Sequence, residues 1–316
     1  NGRVDDAGLA GTNSLVVRSD PGYWAATEFY GQVGSVRALN NLTTYGLVNL
    51  SADIHTVSSQ TYNYNVYLYT NLSEQATLDT VTLNPNAGSI TFNGTVNAGW
   101  AMDNIVSLAI IPTAVTQSTT FVGQIGNQYV PLNLSVGGAV SLSGSVTTSG
   151  TQTYTGAVTL GADTTLTTTN SLVTFSSTVA NSSARALSIS SGSGGVTFTG
   201  AVGSGTALGA VSLTTTGTTT ISSSLDAASF SGGAGTTEIN GGSVTTSGTQ
   251  TYNGAVTLGA TTTLTGTDIN FVSTVQSPTT RYGLTVNGSG TTTFGGVVGG
   301  SSNPLLSITT DSAGTT

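Results

Sequence analysis

The sequence predicts an all-β fold: a parallel β-solenoid with coils of about 20 residues. Three observations predict it. Apolar residues alternate with Thr and Ser in short runs, long near-identical stretches recur, and the spacing between landmarks changes by whole steps. Val158, Leu160 and Leu166 sit among threonines, and Leu187 and Ile189 keep the same beat of two. Thr, Val, Ile and Tyr favour strands, whereas Gly, Asn, Asp and Ser punctuate them. No stretch joins i, i+3, i+4, i+7 apolar spacing to helix formers, so no helix longer than a turn or two is expected.

The repeats carry the argument further. SVTTSGTQTYTGAVTLGA at 145–162 returns at 243–260 with one change, Thr155 to Asn253, at an offset of 98. FYGQVG at 29–34 matches FVGQIG at 121–126, and the same offset of 92 lays Gln60–Tyr62 on Gln152–Tyr154. FSSTV at 175–179 matches FVSTV at 271–275, and VTFTGAVG at 196–203 matches TTFGGVVG at 292–299. The distance from the first Phe of the F-x-G-x-V/I-G landmark to the Tyr of Q-T-Y is 33, 33 and then 54 residues. The excess of 21 reads as one inserted coil, from Val211 to about Phe230. A solenoid accepts such an insertion because each turn touches only its neighbours; a closed barrel would lose register.

The reading is one continuous solenoid over 1–316. It comprises diverged repeats with loop insertions over 1–140, a repeat copy over 141–242 and a truncated copy over 243–316. Tyr62, Tyr154 and Tyr252 are expected at equivalent positions around the coil. Phe29, Phe121, Phe198, Phe294, Val158, Leu160, Val256, Leu258 and Leu264 are expected inside. Open coil ends carry unpaired N–H and C=O groups, so end-to-end self-association, or continuation in a longer chain, is expected.

GTQTYNGAVTLGATTTLTGTDINF at 248–271 and LTVNGSGTTTFGGVVGG at 284–300 resemble the repeat arrays of giant bacterial exoproteins of the filamentous-haemagglutinin-like family. The resemblance is strong over about 140–316 and weaker over 29–139. It implies a right-handed parallel β-helix, export to the cell surface or medium, and roles in adhesion or extracellular fibres. It supplies no functional residues, because such repeats are scaffold.

Composition excludes several classes. There is no Lys, the basic residues are Arg3, Arg18, Arg37, Arg185 and Arg281, and the net charge is −8. A nucleic-acid partner, which needs cations against phosphates, is not expected. Without Cys there is no disulfide and no thiolate metal site. The apolar run at 105–115 is too short to span a bilayer. Asp53 and His55 share a strand face, yet no nucleophile elbow accompanies them. GGAG at 232–235 lacks the Asp of a calcium-binding repeat. No catalytic residue, cofactor or metal is therefore assigned.

The candidate contact residues come from spacing. Tyr62 to Phe92 spans 30 residues where later copies span 21 and 19, and Phe92 to Phe121 spans 29 against 23. Residues in excess leave the coil as loops, and loops carry function. These stretches hold Tyr67, Tyr69, Glu74 and Asp79, then Trp100, Met102 and Asp103, suited to a glycan or protein contact. Three functions stay open: a structural segment of a surface or secreted fibrous protein, a subunit of a homopolymeric filament, and a polysaccharide-binding or polysaccharide-cleaving module.

Overall fold

The computed structural model describes residues 12–18, 26–69, 80–86, 88–99, 106–112, 117–300, 302, 304–311 and 315. They form two compact units, 1–156 and 157–316. Every element among them is a strand, most of them three or four residues long, and strands pair in parallel.

Unit 1 begins with β1 (Leu15–Arg18) and β2 (Thr27–Phe29). It continues through β3 (Leu42–Tyr45), β4 (Val48–Leu50), β5 (Ile54–Thr56), β6 (Gln60–Tyr62), β7 (Val66–Leu68) and β8 (Thr80–Pro85). β9 (Ile90–Phe92), β10 (Val96–Ala98), β11 (Ser107–Ile110), β12 (Ser118–Phe121), β13 (Leu134–Val136), β14 (Ala139–Leu142), β15 (Val146–Thr148) and β16 (Gln152–Tyr154) complete it. Successive strands fall on three faces. β1, β3, β6, β9, β12 and β14 stack on the first and β2, β4, β7 and β10 on the second. β5, β8, β11, β13 and β16 form the third. Leu42 faces Gln60, 18 residues on, whereas Gln60 faces Ile90, 30 residues on. Coil length is thus elastic while the strands keep register.

Unit 2 repeats the same construction with coils of 18 to 24 residues. Val211 faces Phe230, and Phe230 faces Gln250. The stretch expected to be an inserted coil is therefore a full coil, as the spacing predicts.

Alternation explains the interior. In a three-residue strand the outer two side chains point in and the middle one points out. Val196 and Phe198 are accordingly buried around a half-buried Thr197. Strand spacing of about 4.8 Å then lets aromatic rings on successive rungs stack. Tyr62, Phe92 and Phe121 stack with centroids 5.0 and 4.9 Å apart, and Phe175 and Phe198 lie 5.1 Å apart. Phe29, Phe121, Phe198, Val158, Leu160, Val256, Leu258 and Leu264 are all buried. Phe294 departs from expectation and is only half-buried. It stacks on Phe271 at 5.0 Å, but on its other side the described rung supplies only the bridge residue Thr315.

The F-x-G-x-V/I-G landmark is a corner where one face narrows to a single inward residue. Val33, Ile125, Val202 and Val298 each make an isolated parallel bridge there. The closing glycines Gly34, Gly126, Gly203 and Gly299 have φ of +71°, +70°, +73° and +61°, a region that L side chains rarely adopt. At Gly203 a β-carbon would also lie 2.0 Å from the Asp226 carbonyl oxygen.

The Q-T-Y landmark is a buried polar corner. Gln60, Gln152 and Gln250 are fully buried. Each donates through Nε2 to the carbonyl six residues back: Ile54, Val146 and Val244, at 3.2, 3.2 and 3.1 Å. Each accepts at Oε1 from the Tyr hydroxyl two residues on, at 3.0, 3.2 and 2.8 Å. Thr56, Thr148 and Thr246 donate to the carbonyls of Ser58, Gly150 and Gly248, closing the turn.

These corners are not at equivalent positions, which corrects the expectation. Within unit 1, Tyr62 lies on the first face and Tyr154 on the third. The same shift carries Phe29 from the second face to the first at Phe121, and Leu42 from the first to the third at Leu134. The 92-residue repeat therefore returns rotated by one side. The physical reason is that a corner needs only the strand six residues before it, and all three sides provide one.

Candidate functional site

The second face of unit 1 carries the most distinctive outer surface. Its inward residues Val48, Leu50, Val66, Leu68, Val96 and Ala98 are buried. Alternation therefore turns Glu28, Asn49, Tyr67 and Asn97 outward, and register sets them in one row. Just past the strand ends a second row forms from Tyr30, Ser51, Tyr69 and Gly99. The Ser51, Tyr69 and Gly99 amides donate to the carbonyls of Phe29, Leu50 and Leu68 in the adjoining rung.

The side chains of these rows are held. Asn49 Nδ2 donates to Glu28 Oε1 at 3.4 Å, and Glu28 also hydrogen-bonds the Tyr30 phenol, which raises that phenol's pKa. The Tyr67 hydroxyl donates to Gln128 Oε1 at 3.2 Å, across 61 residues of chain. Gln128 belongs to the rung beyond β10: its amide donates to Asn97 Oδ1 at 3.2 Å, and the Tyr129 carbonyl accepts the Ala98 amide at 2.9 Å. Tyr67 therefore extends over Asn97, and Asn97, although outward, is only 1% exposed. The Tyr69 ring occupies the space that a β-carbon on Gly99 would fill, 2.3 Å from two of its ring carbons. Desolvation first, then the neighbouring phenols of Tyr69 and Tyr129, raise the Tyr67 pKa. Four tyrosines thus gather on one surface, with carboxylate and amide groups between them. Such a surface offers ring faces and hydrogen bonds, and holds no acid–base pair.

Of the residues expected from sequence, Tyr67 and Tyr69 stand side by side here. Glu74, Asp79, Trp100, Met102 and Asp103 lie outside the described residues. Sequence reasoning missed Tyr30 and Tyr129. Both had a signal: each is an aromatic beside a corner landmark, in FYGQVG and in GNQYV.

Other candidate chemistry resolves into structure. Asp53 Oδ1 accepts the Thr82 amide of the next coil at 2.7 Å. His55 is the outward residue of β5 and faces Asn84, so no Ser-His-Asp arrangement forms. Asp163 and Asp268 make the same coil-to-coil clamp, to the Ala186 and Thr291 amides at 3.0 and 2.8 Å. Gly235 of the GGAG stretch stacks on the corner below, where a β-carbon would lie 2.0 Å from the Gly217 oxygen. Among the described residues no three His, Cys, Asp or Glu side chains converge on a metal position, and no helix is long and apolar enough to cross a membrane. A groove in unit 2 is lined by Asn170, Ser190, Thr214, Ser231 and Asn253, with no titratable group.

Comparison with known proteins finds no matching family model and no significant similarity to a curated protein or to a solved structure.

Proposed function

We propose that the chain is a structural segment of a fibrous protein of the bacterial cell surface or medium, and that it has no enzymatic role. One observation carries this reading: coils of different length and even an additional coil, 211–230, enter the parallel stack with only one-residue slips in register, between Ser190 and Gly192 on one side and between Ala227 and Phe230 on the other. A chain so built gains length by adding coils and needs no fixed centre, which suits a spacer or scaffold. The likeness of the repeats at 248–271 and 284–300 to exoprotein arrays supports the same role and location.

The test is immunodetection in the native source, with antibody against residues 157–316. The scaffold reading expects protease-sensitive signal on intact cells or in the medium, on a polypeptide far larger than 31.4 kDa. A surface signal on a 31.4 kDa polypeptide that sediments as a polymer would instead establish a filament subunit. Signal confined to the cytoplasm would overturn both.

A further inference from the structure

We propose that the tyrosine rows of unit 1 bind an extended, uncharged polysaccharide lying along the direction in which the coils stack. The inference concerns the outer surface alone and does not depend on the scaffold role.

Shape comes first. Tyr67 reaches over the Asn97 rung to Gln128, and Tyr69 lies over Gly99. Both side chains therefore run along the stacking direction instead of standing up from the sheet. The two residues are neighbours at i, i+2, about 7 Å apart along the strand, so their rings form one broad platform. Tyr30 lies two rungs from Tyr69, about 10 Å away at ordinary strand spacing, and Tyr129 lies two rungs from Tyr67 on the other side. That interval is close to the length of one disaccharide of an extended β-linked glycan. The rungs that carry these tyrosines thus recur at about the interval of alternate sugar units, with the Tyr67 and Tyr69 rings reaching one rung further along the stack. The C–H-bearing face of a pyranose carries partial positive charge and meets the negative face of an aromatic ring.

Polar groups between the rings match hydroxyls. Glu28 accepts, and Gln128 donates and accepts. The platform is also pre-formed, because Gln128 and Gly99 already hold Tyr67 and Tyr69, so little side-chain freedom is lost on binding.

Charge selects within the class. Glu28 is the one ionised side chain of the rows, no Arg belongs to them, and the chain carries −8. A uronate or sulfated polymer would meet repulsion with no cation to offset it. The occupant is therefore a neutral glycan.

The test uses isothermal titration of the full chain with cellohexaose, laminarihexaose, xylohexaose and chitohexaose, and with polygalacturonate and alginate. At least one neutral hexasaccharide should bind, with an affinity that is unchanged by salt and falls sharply for the corresponding disaccharide. Affinity should fall about tenfold for each ring removed in Tyr67→Ala and Tyr69→Ala. It should be retained in Thr197→Ala of unit 2, and mostly retained in Tyr67→Phe, which keeps the ring. Gly99→Ala, which displaces Tyr69, should weaken binding as Tyr69→Ala does; a melting curve like that of the native chain certifies each variant's fold. Three results would overturn the proposal: no binding of any neutral hexasaccharide by the native chain, preference for the anionic polymers, or undiminished binding by the folded Tyr67→Ala/Tyr69→Ala double variant.

Discussion

The second face of unit 1 and the face of unit 2 that contains Val173–Phe175, Val196–Phe198, Thr219–Ile221 and Thr237–Ile239 are built alike inside. Both place two buried residues per short strand around one outward residue. Their outsides differ. Unit 2 shows the row Thr174, Thr197, Thr220 and Glu238, while unit 1 shows Glu28, Asn49, Tyr67 and Asn97. Inward positions must fit the rung above and below, so they are uniform. Outward positions meet only the neighbouring side chain and water, so they are free to diverge. The two units therefore differ in their outward rows, and of these two rows only that of unit 1 carries a tyrosine.

The largest expected effect sharpens the shared half of this comparison. Phe92→Ala in unit 1 and Phe198→Ala in unit 2 each remove a ring from a stack and should cost about 3–5 kcal/mol, as read by urea unfolding. A loss confined to one unit would break the equivalence of the two interiors. The polar corners come next. Gln60→Leu and Gln250→Leu strand a buried Tyr hydroxyl and should each cost about 1–3 kcal/mol. Adding Tyr62→Phe or Tyr252→Phe should recover part of that loss, since the phenol is then gone while the Ile54 or Val244 carbonyl still lacks the glutamine's donor.

Alkali discriminates the units by a smaller amount. Burial drives the pKa of Tyr62, Tyr154 and Tyr252 far above the ordinary phenol value. Below about pH 10 these phenols are neutral in both folded and unfolded chains. Above it the unfolded chain releases the proton and the folded one does not, so stability falls as pH rises. The slope is about 1.4 kcal/mol per pH unit for each such tyrosine. Unit 1 holds two of them and unit 2 one, so unit 1 should lose stability about twice as steeply, as followed by amide exchange from pH 9 to 12. The smallest effect tests the freedom of the outside. Thr197→Tyr should change stability by less than about 0.5 kcal/mol, and a loss of several times that value would show that outward rows are constrained after all.

The inward pattern was legible because alternation leaves its mark in every three-residue strand, as at Val158 and Leu160. The inserted coil was legible because its excess of 21 residues matches the coil length of about 20 that the repeats imply. The role of Gln60, Gln152 and Gln250 was not, since a glutamine in a strand reads as an outward residue until its carbonyl and phenol partners are located. Nor was the gathering of Tyr30, Tyr67, Tyr69 and Tyr129. It depends on which residue lies above which, and coils of 18, 21 and 30 residues conceal that register. The extra length between Tyr62 and Phe92 singled out the stretch that opens with Tyr67 and Tyr69, two of the four tyrosines of this surface.

The one-side shift between copies of the 92-residue repeat has a directional consequence. Whatever a segment displays outward, its next copy displays toward another azimuth, because the pattern precesses as the chain winds. Tyr62 and Tyr154 record the first such step within unit 1. A sequence copied in tandem under this rule samples every bearing about its own axis, so duplication alone spreads a decorated surface around the circumference instead of thickening one flank.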